Sequence, residues 1–205
     1  MVARHLRTGT VEAIDVAASD AVLVARARTG DRWAGEALYR RHVGEALRLA
    51  LFLLRRRADA EDAVQDAFVT ALAKLDTLRE PAAFAGWLAR IVANQARGKL
   101  RRRRLLAWLG LDGAADDVTL EHHAAPGVTP EQRVELAWLD RALRELPEAE
   151  RVAWLLRYVE GWELHDIART LKVSLATAKR RLLAARRRLD TRIGGPDPLV
   201  DEEAP

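Results

Sequence analysis

The segment from Glu163 to Leu189 has the pattern of a helix-turn-helix, and it constrains the fold more than any other part of the chain. In its first half, apolar residues recur at i, i+3, i+4 and i+7, which predicts a short helix with one buried face. These residues are Leu164, Ile167, Ala168 and Leu171. After a break at Lys172 and Val173, Ser174 lies where the N-cap of a second helix is expected.

The second predicted helix has an apolar face and a basic face. We expect its buried residues to be Leu175, Ala178, Leu182, Ala185 and Leu189. The basic face carries Lys179, Arg180, Arg181, Arg186, Arg187 and Arg188. A basic face alone is often only a solvated surface, and all but four of the 34 basic residues in this chain are arginines. A basic helix that follows a short helix and a capped turn, however, is the arrangement that enters the major groove of DNA.

Charge is clustered along the chain although the net charge is only +4. The stretch Arg97–Arg104 contains six cations and no acid, and the tail from Gly195 contains four acids and no cation. Local clustering of positive charge indicates a polyanionic partner better than total charge does.

Several classes of protein are disfavoured by composition. The chain has no cysteine, so disulfides, thiolate catalysis and cysteine-bound zinc are excluded. The apolar run Leu49–Leu54 is far shorter than the ~20 residues that a bilayer requires, and the N-terminus lacks a signal-peptide core. No paired-carboxylate, nucleophile-base or phosphate-loop signature is present. We therefore expect a cytoplasmic protein without membrane insertion, without enzymatic activity and without a cofactor.

The positions of glycine and proline, together with the helical periodicity of the apolar residues, predict an all-α fold. It consists of two small helical domains joined by a flexible linker, and the second domain contains the helix-turn-helix. The predicted divisions are an N-terminal extension (1–19), a first domain (20–104), a linker (105–130), a second domain (131–190) and an acidic tail (191–205). The linker is rich in glycine and proline and is too long for an ordinary loop inside one compact domain.

Within the first domain we predict four helices. The first covers about Asp20 to Thr29 and ends at Gly30, and Asp31 caps a long second helix. The third covers about Asp59 to Leu75. The fourth covers about Ala82 to Arg103, after the break at Glu80-Pro81.

The third helix carries Asp62, Gln65, Asp66 and Val69 on the side opposite its apolar face. Acids near a helix start also stabilise the helix dipole, which would explain Asp62 without any partner. That explanation accounts less well for Asp66, one turn further along. The stripe is therefore a candidate partner surface.

The fourth helix carries Arg90, Asn94, Arg97 and Arg101 along one side, with Phe84 and Trp87 at its start. Aromatic rings beside arginines can stack on unpaired bases. The alternative is that both rings belong to the core, and we favour the core for Phe84 and also for Trp87.

Three segments together resemble the extracytoplasmic-function family of bacterial RNA polymerase sigma factors. Ala58–Phe68 resembles that family's polymerase-binding segment, and Phe84–Asn94 with the following arginines is similar to its promoter-melting segment. The segments Leu146–Arg151, Leu156–Gly161 and Ile167–Leu182 resemble its C-terminal promoter-binding domain. Each motif is short, but the three occur in the family's order and at its separations.

The resemblance implies a function and a set of binding residues. The partners would be core RNA polymerase, through its β′ clamp helices and β flap, promoter DNA, and an anti-sigma factor. Polymerase binding would fall to Asp62, Gln65 and Asp66. The −10 region of the promoter would be bound by Trp87, Arg90, Asn94, Arg97, Lys99 and Arg101, and the loop Thr77–Phe84 would capture a flipped base. The −35 region would be bound by Ser174, Thr177, Lys179, Arg180 and Arg181. The family commonly has serine at the position of Arg180, so an unusual −35 preference is expected.

Two other functions are compatible with parts of the sequence. A stand-alone helix-turn-helix repressor or activator would explain residues 131–190 but would give the acidic stripe of the third helix no role. A metal-dependent enzyme would use Asp116, Asp117, Glu121, His122 and His123 as ligands. Those residues lie in the predicted linker, which lacks the rigid scaffold that catalytic ligands require.

Overall fold

A computed structural model of the chain describes residues 18–109 and 129–193. Over these two ranges the chain is all-α, as predicted, with eight α-helices and no strand. It folds as two compact units, one within residues 1–118 and the other within residues 119–205. The first unit contains α1 (Asp20–Arg28), α2 (Arg32–Leu54), α3 (Arg57–Ala73) and α4 (Phe84–Trp108). The second contains α5 (Pro130–Arg144), α6 (Glu148–Tyr158), α7 (Leu164–Leu171) and α8 (Leu175–Ile193).

In the first unit, α2, α3 and α4 pack against one another and α1 packs on α2. Leu38, Leu53 and Val92 are almost completely buried between these helices. Many of the residues that α3 buries are alanines, including Ala60, Ala63, Ala67 and Ala71. Small side chains on one helix face allow close approach of its neighbours. The region is therefore a tight helical bundle that leaves one side of α3 outside.

The start of α2 confirms the prediction for Asp31. Its Oδ1 accepts hydrogen bonds from the backbone N–H of Trp33 (3.0 Å) and of Ala34 (3.3 Å), as an N-cap residue does. The Arg26 side chain donates a hydrogen bond of 2.9 Å to Asp31 Oδ2. This hydrogen bond, with help from the two N–H groups, lowers the pKa of the Asp31 carboxyl below its ordinary value. Gly30 has a φ of 85°, which explains why a glycine separates α1 from α2.

The connection between α3 and α4 contains two 3₁₀ turns, Leu75–Thr77 and Pro81–Ala83. Arg28 of α1 donates hydrogen bonds to the carbonyl oxygens of Leu75 (3.1 and 3.2 Å) and Leu78. Because Pro81 begins a 3₁₀ turn, the α-helix starts at Phe84, two residues later than predicted. Phe84 is fully buried, which confirms that it belongs to the core.

In the second unit, α6 and α7 pack against α8, and α5 also contacts α8. The turn between α7 and α8 has Lys172 in the left-handed conformation (φ 51°), and the N–H of Val173 donates to the carbonyl of Ala168 at 3.0 Å. Gly161, with a φ of 67°, lies in the connection after α6. The helix-turn-helix is therefore present.

Two predictions about helices were wrong. α4 continues to Trp108 and does not end near Arg103, because no glycine or proline lies between Arg103 and Gly110. Leu175 was predicted to be buried, but 53% of it is exposed, because it is the first residue of α8 and precedes the turns that pack on α6 and α7.

Several predictions concern residues outside 18–109 and 129–193. They are most of the N-terminal extension, linker residues 110–128, the tail from residue 194, and the five candidate metal ligands of the linker. Among the residues that the structure does describe, no group of three or more acidic or histidine side chains could hold a metal ion. None of the described helices is both long enough and apolar enough to cross a bilayer.

Candidate polymerase and promoter surfaces

The acidic stripe of α3, which we define as Asp62, Gln65, Asp66 and Val69, lies on the outside of the first unit. All four residues are exposed, and Val69 is 66% exposed although it is a large apolar residue. The neighbouring positions Ala63 and Ala67 face the core and are fully buried. The stripe therefore presents two carboxylates, an amide and an apolar side chain outward along two turns of helix.

The α4 stripe consists of Arg90, Asn94, Arg97 and Arg101, which are spaced i, i+4, i+7 and i+11 and so share one side of the helix. Arg90, Asn94 and Arg101 are exposed, and Arg97 is half-buried. The Nε of Arg97 is buried and has no hydrogen-bond partner. The amide nitrogen of Asn94 donates to the carbonyl of Arg90 at 2.9 Å, which leaves its oxygen as an acceptor.

The same spacing continues past Arg101 to Leu105 and Trp108, two residues that were not predicted to belong to this stripe. Leu105 is 57% exposed and Trp108 is 82% exposed. They were missed because the predicted helix stopped at Arg103. The signal that could have found them is the absence of any glycine or proline between Arg103 and Gly110.

Of the two predicted −10 residues outside the α4 stripe, Trp87 lies on the same side of the helix, three residues before Arg90, whereas Lys99 does not. Lys99 is on the opposite side of α4, half-buried, and its Nζ is 3.3 Å from Oδ2 of Asp62 on α3. Trp87 is half-buried rather than fully buried, and its ring centroid lies 6.1 Å from that of Phe84. The structure therefore brings a predicted DNA-binding lysine into contact with a predicted polymerase-binding aspartate.

A polar cluster between α1 and α2 contacts Phe84, the first residue of α4. His42 is buried, its Nε2 is 2.9 Å from Oδ2 of Asp20, and its ring centroid is 5.2 Å from that of Phe84. Arg41 also contacts Asp20, at 2.7 Å. This cluster holds α1 against α2 beneath Phe84.

The turn before α8 confirms Ser174 as a helix cap. Its Oγ accepts a hydrogen bond of 3.1 Å from the N–H of Thr177 and donates one of 2.9 Å to Thr177 Oγ1. The two hydroxyl groups are thus bonded to each other, and this pair fixes the first turn of α8.

The cations of α8 divide into two groups. Arg186 pairs with Asp190 (3.6 Å) on the same helix, and Arg188 pairs with Glu150 of α6 (3.1 Å). Lys179, Arg180 and Arg187 are exposed and have no acidic partner among the described residues. Arg181 is half-buried and also lacks one. An exposed row of cations without internal partners is suited to phosphate oxygens and to guanine edges.

Each unit matches the model of a known protein family. Residues 38–105 match the family model for Sigma-70 region 2, and residues 136–189 match the model for Sigma-70, region 4. The ECF RNA polymerase sigma factor SigM of Mycobacterium tuberculosis is 37% identical over 178 residues, which covers 86% of this chain and 85% of the relative. The chain belongs to the extracytoplasmic-function family of RNA polymerase sigma factors. It is an alternative sigma factor, a protein that binds core RNA polymerase and directs initiation at promoter DNA.

Other relatives and solved structures agree. The ECF RNA polymerase sigma-E factor of Escherichia coli K12 is 30% identical over 193 residues, covering 89% of this chain and 96% of the relative. Among solved structures, the chain is similar to the sigma factor RpoE in its complex with the anti-sigma factor NepR from Bartonella quintana. That match has a TM-score of 0.56 and 27% identity, and covers 78% of this chain and 94% of the other. The structure of CnrH with the cytosolic domain of CnrY matches with a TM-score of 0.54 and 25% identity, over 87% of this chain and 99% of the other.

Proposed function

We propose that this sigma factor binds the polymerase, the −10 region and the −35 region with three separate surfaces. The acidic stripe of α3 binds core RNA polymerase at the β′ clamp helices through Asp62, Gln65 and Asp66. The α4 stripe, with Trp87, binds the −10 region, and α8 binds the −35 region through Lys179, Arg180 and Arg181. The protein acts by binding rather than by catalysis, and it works in the cytoplasm, where the polymerase is.

The observation that carries the proposal is the set of unpaired cations on the outer side of α8. Two cations of this helix, Arg186 and Arg188, pair with acids. Lys179, Arg180 and Arg187 have no acidic partner among the residues that the structure describes, and they follow a capped turn that fixes the start of the helix. Cations held outward on the second helix of a helix-turn-helix are placed for a major groove.

In the first unit the acidic stripe supports polymerase binding. Carboxylates that serve only the helix dipole belong to the first turn, where Asp59 lies. Asp66 and Val69 are beyond that turn and are exposed. A surface of this kind, with an apolar residue beside two carboxylates, suits a basic protein partner with some apolar character.

The roles of three further residues follow from their contacts. Ser174 and Thr177 set the first turn of α8, so we assign them to positioning as well as to the −35 contact predicted for them. A contact between Lys99 and DNA requires its ion pair with Asp62 to open. Polymerase binding at Asp62 would provide that opening, because a cation of the partner would replace Lys99.

The domain limits that we propose are residues 20–104 for the polymerase and −10 unit and residues 131–190 for the −35 unit, with residues 105–130 as the linker between them. We also propose that an anti-sigma factor regulates the protein and that the β flap of the polymerase binds the second unit. The solved structure of RpoE holds a sigma factor with the anti-sigma factor NepR, and that of CnrH holds the cytosolic domain of CnrY.

Run-off transcription tests the proposal. Purified core RNA polymerase is incubated with and without the full-length protein on a genomic fragment from upstream of its own gene. The expected result is a transcript of defined length only when both proteins are present. Absence of any sigma-dependent transcript and of any association with the core enzyme would overturn the proposal.

A second measurement separates this function from that of a stand-alone repressor. A repressor binds duplex DNA tightly by itself, often as a dimer. We expect the isolated protein to give no footprint on the promoter at a concentration at which the complete holoenzyme protects both the −10 and the −35 regions.

A further inference from the structure

The outward side of α8 contains large apolar residues as well as cations. Leu175 is 53% exposed and Leu183 is 47% exposed. The inward side of the helix is filled by Ala178, Ala185 and Leu189, so these two leucines are not part of the core. Leucines contribute no charge to a basic surface, and exposing their apolar side chains to water is unfavourable in free energy.

Leu183 lies between two arginines on the outermost face. Ala176, Arg180, Leu183 and Arg187 are spaced i, i+4, i+7 and i+11, which places them on one side of the helix. Leu175 is the first residue of α8 after the Ser174 cap, in the turn whose side chains meet base edges when such a helix enters the groove. Both leucines therefore belong to the surface that we propose for DNA.

The polar groups of that first turn are partly engaged. Ser174 Oγ donates its proton to Thr177 Oγ1, so only the Thr177 hydroxyl proton remains to be donated to a base. The next two residues after the cap, Leu175 and Ala176, are exposed and carry no polar side-chain atom. The first turn of α8 thus presents mainly carbon to the groove.

Only one base pair offers an apolar group in the major groove, the A·T pair with the C5-methyl of thymine. We infer that Leu175 and Leu183 bind thymine methyl groups in the −35 duplex, while the neighbouring cations contact phosphates and guanine. This inference rests on the proposed role of α8 and adds a thymine requirement to it.

The spacing of the two leucines sharpens the inference. They are eight residues apart, which corresponds to about 12 Å along a helix axis. Base pairs are separated by about 3.4 Å. The two leucines therefore contact different thymines, on the order of three to four base pairs apart.

Deoxyuridine tests the inference, because it differs from thymidine only by the missing methyl. The probe is the promoter fragment that gives a run-off transcript, with each thymine of its −35 region replaced in turn by deoxyuridine. Binding of the complete holoenzyme to each probe is measured with the wild type and with Leu175→Ala, Leu183→Ala and Val159→Ala. Val159 has the same exposed fraction as Leu183 (47%) but follows α6 and is not part of α8, so it is the matched control.

The expected result is a loss of about fourfold in affinity at two separated positions, the value of burying one methyl-sized group. Leu175→Ala should remove the discrimination at one position and Leu183→Ala at the other, while Val159→Ala keeps both. Alanine is compatible with helix, so these exposed substitutions leave the fold intact.

The failures of the two proposals are distinguishable. If the holoenzyme protects the −35 region but binds thymine and deoxyuridine probes equally, the thymine inference is wrong and the role of α8 stands. If Leu175→Ala and Leu183→Ala weaken binding equally on both kinds of probe, or not at all, the leucines serve another purpose and the inference is again wrong. Absence of −35 protection by the wild type would overturn both.

Discussion

α4 and α8 each carry six cations in a basic segment, yet the fold uses the two sets differently. In α4, Lys99 pairs with Asp62, and Arg103 donates to the carbonyl of Leu54 at 3.3 Å, at the end of α2. In α8, by contrast, Lys179, Arg180 and Arg187 have no acidic partner among the described residues, whereas Arg186 and Arg188 do. The number of arginines in a segment therefore overstates the number that can contact DNA.

The largest effect is expected at the acidic stripe of α3, which tests whether the first unit is a polymerase surface at all. Asp62→Lys with Asp66→Lys should reduce core polymerase binding by roughly a hundredfold or more, because like charges placed together at an interface cost several kcal/mol. Affinity is measured by titration of labelled protein with core enzyme. Asp76→Lys, at an acid with an 88% exposed side chain elsewhere in the unit, is the control and should bind normally. Normal binding by the double variant would remove this surface from the proposal.

The next largest effect is expected in α8, where the salt dependence of promoter binding distinguishes cations without an acidic partner from cations with one. Arg180→Ala with Arg187→Ala should weaken promoter binding by the holoenzyme and lower the dependence of log affinity on log salt by about two. Arg186→Ala with Arg188→Ala removes the same charge but from residues that have internal partners, so the salt dependence should change little and the thermal stability should fall. Equal salt dependence in the two double variants would contradict the division of α8 into bound and free cations.

The corresponding test in α4 compares Arg101 with Arg103. Arg103→Ala removes a hydrogen bond to the end of α2 and should cost about 1–2 kcal/mol of unfolding free energy, with little loss of open-complex formation. Arg101→Ala, at an exposed residue, should leave the unfolding free energy nearly unchanged and reduce open-complex formation. Urea denaturation measures the first property and permanganate reactivity of promoter thymines measures the second. If both variants lose only promoter opening, Arg103 belongs to the DNA surface.

The smallest effect concerns the cap of α2. The pKa of Asp31 is lowered by Arg26 and by the two N–H groups, so the ionised form is favoured in the folded state. The resulting stability is present above the unfolded pKa and is lost as pH falls through the folded pKa. Asp31→Asn should therefore lower the melting temperature slightly at neutral pH and make it less sensitive to acid, and Asp31→Ala should lower it further because the cap acceptor is lost. An unchanged acid dependence in Asp31→Asn would exclude this contribution.

Much of the fold followed from local signals. The Asp31 cap, the Ser174 cap and the turn at Lys172–Val173 were predicted because each depends on a few adjacent residues. The helix-turn-helix followed from the apolar spacing of Ile167, Ala168 and Leu171. Helix ends were less accurate, and α4 extends past its predicted end at Arg103 because no glycine or proline follows until Gly110.

The candidate site was only partly predictable. Helical spacing correctly grouped Asp62, Gln65 and Asp66 on an exposed side of α3. It did not show that Lys99 faces Asp62, because that contact joins residues 37 positions apart on different helices. It also assigned Leu175 to the core, since the apolar pattern of α8 was extended to the first residue without knowledge of what packs there.

The order of amino acids by itself determined an all-α chain, the capped turns, the basic segments and the likeness to sigma factors, because each is a property of neighbouring residues or of helical periodicity. Only the tertiary structure decided which charges have partners and which leucines are covered. Those properties depend on which helices approach each other, and a helix does not specify its neighbours.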